Sequence, residues 1–138
     1  MPRESGGGPV SSKKGDFHWG PSVSWNTYLE CWIMLMGKVE SQAWIGDEIY
    51  ISYNPHSDLG VGDNSQAWST PQLLLRKRKH VIWYPSLQPM NSPEDIAAKN
   101  TSLKLGKKAR LFFKYSDLGK YMSEYIIEFE KPKTSKNP

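Results

Sequence analysis

Trp19-Gly20-Pro21-Ser22-Val23 and Trp83-Tyr84-Pro85-Ser86-Leu87 share the pattern Trp-x-Pro-Ser followed by an aliphatic residue. A repeated opening of this kind marks two copies of one structural unit, and the residues after each opening tell which kind. After the first come Glu30-Cys31-Trp32-Ile33-Met34-Leu35-Met36, then Glu48-Ile49-Tyr50-Ile51-Ser52-Tyr53, then Trp68-Ser69-Thr70-Pro71-Gln72-Leu73-Leu74-Leu75. These are short apolar runs separated by turn residues, the spacing of meandering antiparallel strands. In the Cys31 run both alternating sets are apolar, Trp32, Met34 and Met36 on one side and Cys31, Ile33 and Leu35 on the other. Such a strand is expected to be covered on both faces.

The second unit repeats the order with Val81 to Leu87, Ala109 to Tyr115 and Tyr121 to Glu130. Between its first two strands, Ser92-Pro93-Glu94-Asp95 predicts one short helix over 92–99. Ser92 can cap it, Pro93 suits its first turn, and the acids complement its dipole. A turn is expected at Gly46-Asp47. The fold class is therefore all-β, built of antiparallel β-propeller blades, about two, the second incomplete, with one short connecting helix. The first blade is expected over about 17–75 and the partial second over 81–130. Residues 1–15 read as a flexible leader and 131–138 as a flexible tail. Since two units cannot close a ring, further blades or self-association are expected to complete the sheets.

Composition agrees with this class. Six Trp, seven Tyr and four Phe beside eleven Gly and ten Pro favour short strands and sharp turns over long helices. Cys31 is the only cysteine, which excludes an internal disulfide and a Cys-based zinc site. His18, His56 and His80 do not stand at metal-ligand spacing, and no acidic cluster suggests calcium, so neither metal nor cofactor is expected. Met1 to Gly8 has no apolar stretch and reads as no signal peptide, and no membrane span is present. Asn100-Thr101-Ser102 fits a glycosylation sequon and, without a secretory signal, reads as chance.

The net charge of +4 sits in runs, Arg76-Lys77-Arg78-Lys79 and Lys104 with Lys107, Lys108 and Arg110. Binding of nucleic acid or another polyanion is one reading and a solvated loop is the other. No nucleic-acid-binding signature accompanies the runs, which favours the loop.

The ordered motifs over residues 17–129 resemble the C-terminal part of five-bladed propellers related to glycoside hydrolases of the arabinanase, xylosidase and sialidase type. The resemblance is carried by Trp19 to Leu29, Trp32 to Met36, Glu48 to Ser52, Trp68-Ser69-Thr70-Pro71, Trp83-Tyr84-Pro85, Ala109 to Phe113 and Tyr125 to Phe129. Ser57-Asp58-Leu59-Gly60 with Trp68 is similar to a loosened Asp-box hairpin, a structural element in the families that have it. The resemblance implies carbohydrate as partner, hydrolase-like chemistry in the parent protein, and a secreted parent.

Glycoside hydrolysis requires two carboxyl groups about 5 to 10 Å apart across the sugar. Neither inner strand carries one, so Glu30, Asp47 and Glu48 are the nearest catalytic candidates, each also readable as a solvated acid at a strand end. Candidate sugar contacts are His18, Trp19, Trp25, Asn26, Trp83 and Tyr84, aromatic faces for the C–H side of a ring and polar tips for its hydroxyls. For Trp25 and Trp83, packing between blades is an equal alternative; Trp32, Trp44 and Trp68 read as core. The functional expectation is a sugar-contacting segment that is not catalytic alone. The alternative is a non-catalytic protein-interaction module completed by oligomerisation.

Overall fold

The computed structural model describes residues 17–40, 45–59 and 62–132. The expected leader, Trp44, Gly60 and all but the start of the expected tail lie outside them. The strands are β1 (Phe17–Asn26), β2 (Cys31–Glu40), β3 (Ile45–Asn54), β4 (Gln72–Arg76), β5 (Ile82–Pro89), β6 (Lys104–Leu105), β7 (Lys108–Tyr115) and β8 (Lys120–Glu128), with one α-helix, α1 (Pro93–Ala98), and a short 3-10 helix over Gly62–Gln66 among the described residues. The chain is all-β.

Two sheets form, a five-stranded one in the order β4-β3-β2-β1-β6 and a three-stranded one in the order β5-β7-β8. Alternation explains why. In β7, Ala109, Leu111, Phe113 and Tyr115 are buried, while Lys108, Arg110, Phe112 and Lys114 fall on the opposite face, as the two-residue period of a strand dictates. In β2, Cys31, Ile33, Leu35 and Val39 are buried. Its second face is not uniformly covered, since Met36 is buried but Trp32 and Met34 are only half-buried. The two inner faces share one core, in which Ile33, Leu35, Ile49 and Ile51 of the larger sheet meet Ile82, Leu87, Leu111 and Phe113 of the smaller. Phe113 is wholly buried, a position where truncation to Ala costs about 3–5 kcal/mol.

The openings of the two units behave alike. The β1–β2 ladder slips between Trp19 and Ser22, and the β5–β7 ladder slips between Trp83 and Ser86. Such bulges bend a strand and raise its twist, which turns β5 against β1, β2 and β3.

Several boundaries differ from expectation. Gly46 and Asp47 lie within β3 and not in a turn. A Cβ at Gly46 would collide with the Lys38 carbonyl beside the bulge where Glu40 pairs with Ile45, so this glycine serves close approach of two strands. Trp68 to Pro71 precede β4 without joining it. Ser69 instead fastens the loop to β3, its N–H donating to Tyr53 O at 2.8 Å and its hydroxyl accepting from Tyr53 N at 2.9 Å. The first sheet also gains a strand, because β6 pairs in parallel with Trp25 and Asn26. Helix α1 forms as expected, with the Asp95 N–H donating to the Ser92 hydroxyl at 3.2 Å and Lys99 closing it in the left-handed region.

Candidate functional site

The two bulges bring the repeated Trp residues together. At the x position, Gly20 has φ +62° and Tyr84 has φ +56°, so the backbone makes the same left-handed step twice. That step is open to glycine and costs a tyrosine about 1 kcal/mol or more. The Ser22 hydroxyl donates to Pro85 O at 2.8 Å, tying one bulge to the other across the sheets. Around this tie Trp19 meets Trp83 at 5.6 Å and Tyr84 at 5.2 Å between ring centroids, both edge-on, and Trp83 meets Tyr84 at 6.0 Å. Trp19 stands opposite Gly37 on β2, where a Cβ would lie 3.5 Å from its indole nitrogen, so its ring lies over the neighbouring strand. Tyr84 is 44% exposed. The result is an aromatic platform at the seam of the two sheets with one ring open to solvent.

One residue earlier along β1, on the opposite face of the larger sheet, a row crosses four strands: His18 pairs with Lys38, Lys38 with Glu48, and Glu48 with Arg76. The Arg76 guanidinium reaches Glu48 Oε2 at 2.7 Å, and the Tyr50 hydroxyl donates to Glu48 Oε1 at 2.8 Å. Burial, that hydrogen bond and the negative charge of Glu48 push the Tyr50 hydroxyl up to about 12. His18 packs edge-on against Tyr50 at 4.7 Å. Both its ring nitrogens are buried without a hydrogen-bond partner among the described residues. Burial, and then the positive charge of Lys38, hold its pKa below 6.5, with Glu48 opposing.

Trp25 and Asn26 lie at the far end of β1. Trp25 packs edge-on against Trp32 at 5.3 Å. Asn26 is fully buried, its amide donating to Gly106 O at 2.9 Å and its carbonyl accepting from the Leu29 N–H at 2.7 Å. Both functional atoms of Asn26 are thus committed to the turn and to the segment after β6. The six sugar-contact candidates therefore divide into Trp19, Trp83 and Tyr84 at the seam, His18 on the opposite face of β1 against Tyr50, and Trp25 with Asn26 at the other end.

Glu30 forms no pair across a sugar with either of the other two acids. Glu30 sits in the β1–β2 turn with φ +58°, just before Cys31, whereas Glu48 stands opposite Lys38. Eight residues of strand at about 3.3 Å each separate those levels by roughly 26 Å, well beyond the span of either hydrolytic geometry. Asp47 Oδ1 lies 3.5 Å from Nε of the same Arg76 whose Nη2 reaches Glu48, so one guanidinium holds both acids. Both Glu48 oxygens serve as acceptors of strong donors, a structural commitment.

The basic run is also partly occupied. Arg76 is held by Asp47 and Glu48. Lys77 donates to the Tyr125 hydroxyl at 3.0 Å, and its ammonium lies 5.4 Å from the centre of that ring. Arg78 and Lys79 are exposed, Lys79 in a left-handed turn. Among the described residues no three His, Cys, Asp or Glu side chains come together, and no helix is long and apolar enough to cross a membrane.

Sequence reasoning did not single out Tyr50, or Asn54, which is fully buried and clamps the β3–β4 loop. Its amide donates to Asn64 O at 2.6 Å and its carbonyl accepts from His56 N at 3.0 Å. The signal was an Asn closing a strand before Pro55, a turn-former pattern. Compared with protein-family models, with curated proteins and with solved structures, the chain gives no match in any of the three.

Proposed function

We propose that this chain is a carbohydrate-binding segment of β-propeller type, glycoside hydrolase-like in descent, that supplies aromatic contacts to a sugar without supplying the catalytic acids. The observation that carries the reading is Tyr84, a non-glycine residue in the left-handed region whose ring is exposed and braced edge-on by Trp19 and Trp83. Strain kept at a partly exposed aromatic residue points to function there. A tyrosine braced by two indoles is a stacking face for a pyranose or furanose. Two units with the same bulge, packed face to face on one core, support blades as the architecture. The separation of Glu30 from the other two acids, and the engagement of Asp47 and Glu48 by Arg76, support a binding role over hydrolysis by this chain alone.

The test is titration of the chain with neutral xylo- and arabino-oligosaccharides, followed by tryptophan fluorescence. Binding that disappears in Tyr84→Gly, with near-ultraviolet circular dichroism retained, is the expected result. Saturable binding that survives Tyr84→Gly would remove the platform as the site, and no binding of any oligosaccharide would remove the reading. A second reading, an interaction module completed by oligomerisation, is favoured by the large apolar groups exposed along the sheets, Leu73 on β4 with Tyr121 and Ile126 on β8. Light scattering tests this second reading, since a monomer without self-association would remove it.

A further inference from the structure

The outer face of the three-stranded sheet, away from the core, holds a cavity of about 530 Å³ lined by Ser86, Gln88, Asn91, Arg110, Phe112 and Tyr121, on the face where Trp83 stands opposite Lys114. We propose that this is a second binding site, for a sugar chain bearing carboxylate groups, centred on Arg110. The alternation of β7 sends Lys108, Arg110, Phe112 and Lys114 to this face, where Lys108 stands opposite Glu128 and Lys114 opposite Tyr121. On a surface sheet an arginine is commonly balanced by an acid directly across the ladder. Arg110 instead stands opposite Gln88 on one side and Ile126 on the other, and among the described residues no carboxylate lines the cavity. Its Nη2 donates to Met90 O at 3.4 Å, which steadies the guanidinium while its remaining donors stay available to a ligand.

The chemistry of the lining names the ligand. A guanidinium presents a planar fork that matches a carboxylate with two parallel hydrogen bonds. Phe112 and Tyr121 supply apolar faces for the C–H side of a ring, and Ser86, Gln88 and Asn91 supply neutral partners for hydroxyls. The volume falls within the range of small-ligand sites. Lys114 on the same face, with no acid across the ladder from it, raises the local concentration of an anionic chain. The assignment of a sugar ring rests on the carbohydrate reading above; the assignment of its charge rests on Arg110 alone.

The experiment is calorimetric titration of the full chain with a trimer of galacturonic acid, with its fully methyl-esterified form, and with single-stranded oligothymidylate. The acid trimer is expected to bind, the ester to bind at least about tenfold more weakly, and Arg110→Gln to lose at least about tenfold for the acid while its affinity for the ester stays unchanged. Arg110→Lys, which keeps the charge and loses the fork, is expected to fall between the two. Equal affinity for acid and ester would overturn this inference and leave the carbohydrate reading standing. Absence of acid binding would overturn it as well. Oligothymidylate bound as tightly as the acid trimer, and equally sensitive to Arg110→Gln, would make the face a general polyanion surface and overturn the sugar assignment. Binding of neutral xylo-oligosaccharides lost only in Tyr84→Gly reports on the platform separately.

Discussion

Gly20 and Tyr84 take the same left-handed backbone step, φ +62° and φ +56°, at the same position of two Trp-x-Pro-Ser bulges, and the two residues meet across the seam of the two sheets. One unit fills that step with the residue that suits it. The other fills it with an exposed aromatic ring.

Gly20→Ala is expected to destabilise the fold by about 1 kcal/mol or more, because a Cβ is disfavoured at this φ. The added carbon would lie 3.7 Å from Tyr84 Cδ1, an ordinary contact, so the cost is one of backbone conformation. At the other bulge, Tyr84→Gly is expected to be more stable than Tyr84→Ala by about 1 kcal/mol, since both lose the ring and only glycine relieves the step. Urea unfolding of the three variants measures this. Equal stability of the Gly and Ala variants at position 84 would show that the position is not strained.

Glu48→Gln is expected to weaken the bond to Arg76 and cost roughly 0.5–1 kcal/mol, the modest figure reflecting a partly exposed pair. Tyr50 provides the sharper readout. Its hydroxyl stands at about 12 through burial, the hydrogen bond to Glu48 and that residue's charge, and loss of the charge is expected to bring its ionisation down toward 10, read by ultraviolet titration near 295 nm. The folded chain holds this proton more tightly than the unfolded one. The stabilising contribution is therefore complete below pH 10 and is lost as pH rises through about 12. An unchanged Tyr50 titration in Glu48→Gln would break the proposed coupling.

The all-β class is legible in the sequence because it rests on local pattern, two-residue alternation in β7 and short apolar runs between turns; the Trp-x-Pro-Ser start marks two like units, but that both copies bulge and meet across the sheets depends on register. Helix α1 is legible from local pattern too, through Ser92 and Pro93. The hidden features depend on distant partners. β6 is two residues long and exists only because Trp25 N–H and Thr27 N–H donate to Leu103 O and Leu105 O. Gly46 has the type of a turn residue and is a point of close strand approach. Asn26 has the type of a polar tip for a ligand, yet its donor is met by Gly106, eighty residues away, and its acceptor by Leu29. Glu48 is visible as an acid at a strand end, but its engagement by Arg76 and Tyr50 depends on strand register, which one sequence does not reveal.

His18 is expected to make stability depend on pH near neutrality. Its pKa lies below 6.5 through burial and the charge of Lys38, with Glu48 pulling the other way and Tyr50 packed on the ring as a neutral neighbour. The folded state therefore binds this proton less readily than the unfolded chain. The contribution is present above pH 6.5 and is lost as pH falls through the lower folded value. Thermal midpoints taken from pH 8 down to pH 5 should decline in the native chain and decline less in His18→Phe, which keeps an aromatic ring against Tyr50. Parallel curves for the two proteins would exclude His18 as the titrating group.

Asp95 is expected to govern a separate loss of stability in acid. Burial alone would raise its pKa, but the Asn100 amide at 2.7 Å, the Met90 N–H at 2.9 Å and the bonds to Ser92 together pull it below 3.8. Because the folded value is depressed, the stabilisation is complete above the unfolded value near 3.8 and disappears as pH falls through the lower folded one. Ser92→Ala removes the cap and should cost about 1 kcal/mol, whereas Asp95→Asn should lower stability at pH 6 and flatten the profile between pH 4 and pH 2. The helix joins β5 to the segment that forms β6, so this network fixes the entry of β6 onto β1 and holds Met90, the carbonyl that steadies Arg110. Asp95→Asn should therefore also weaken binding of the galacturonate trimer by a few-fold at pH 6, with the Tyr84 platform unaffected in neutral oligosaccharide titrations. Equal weakening at both places would mean that the substitution loosens the whole fold and not this corner of it.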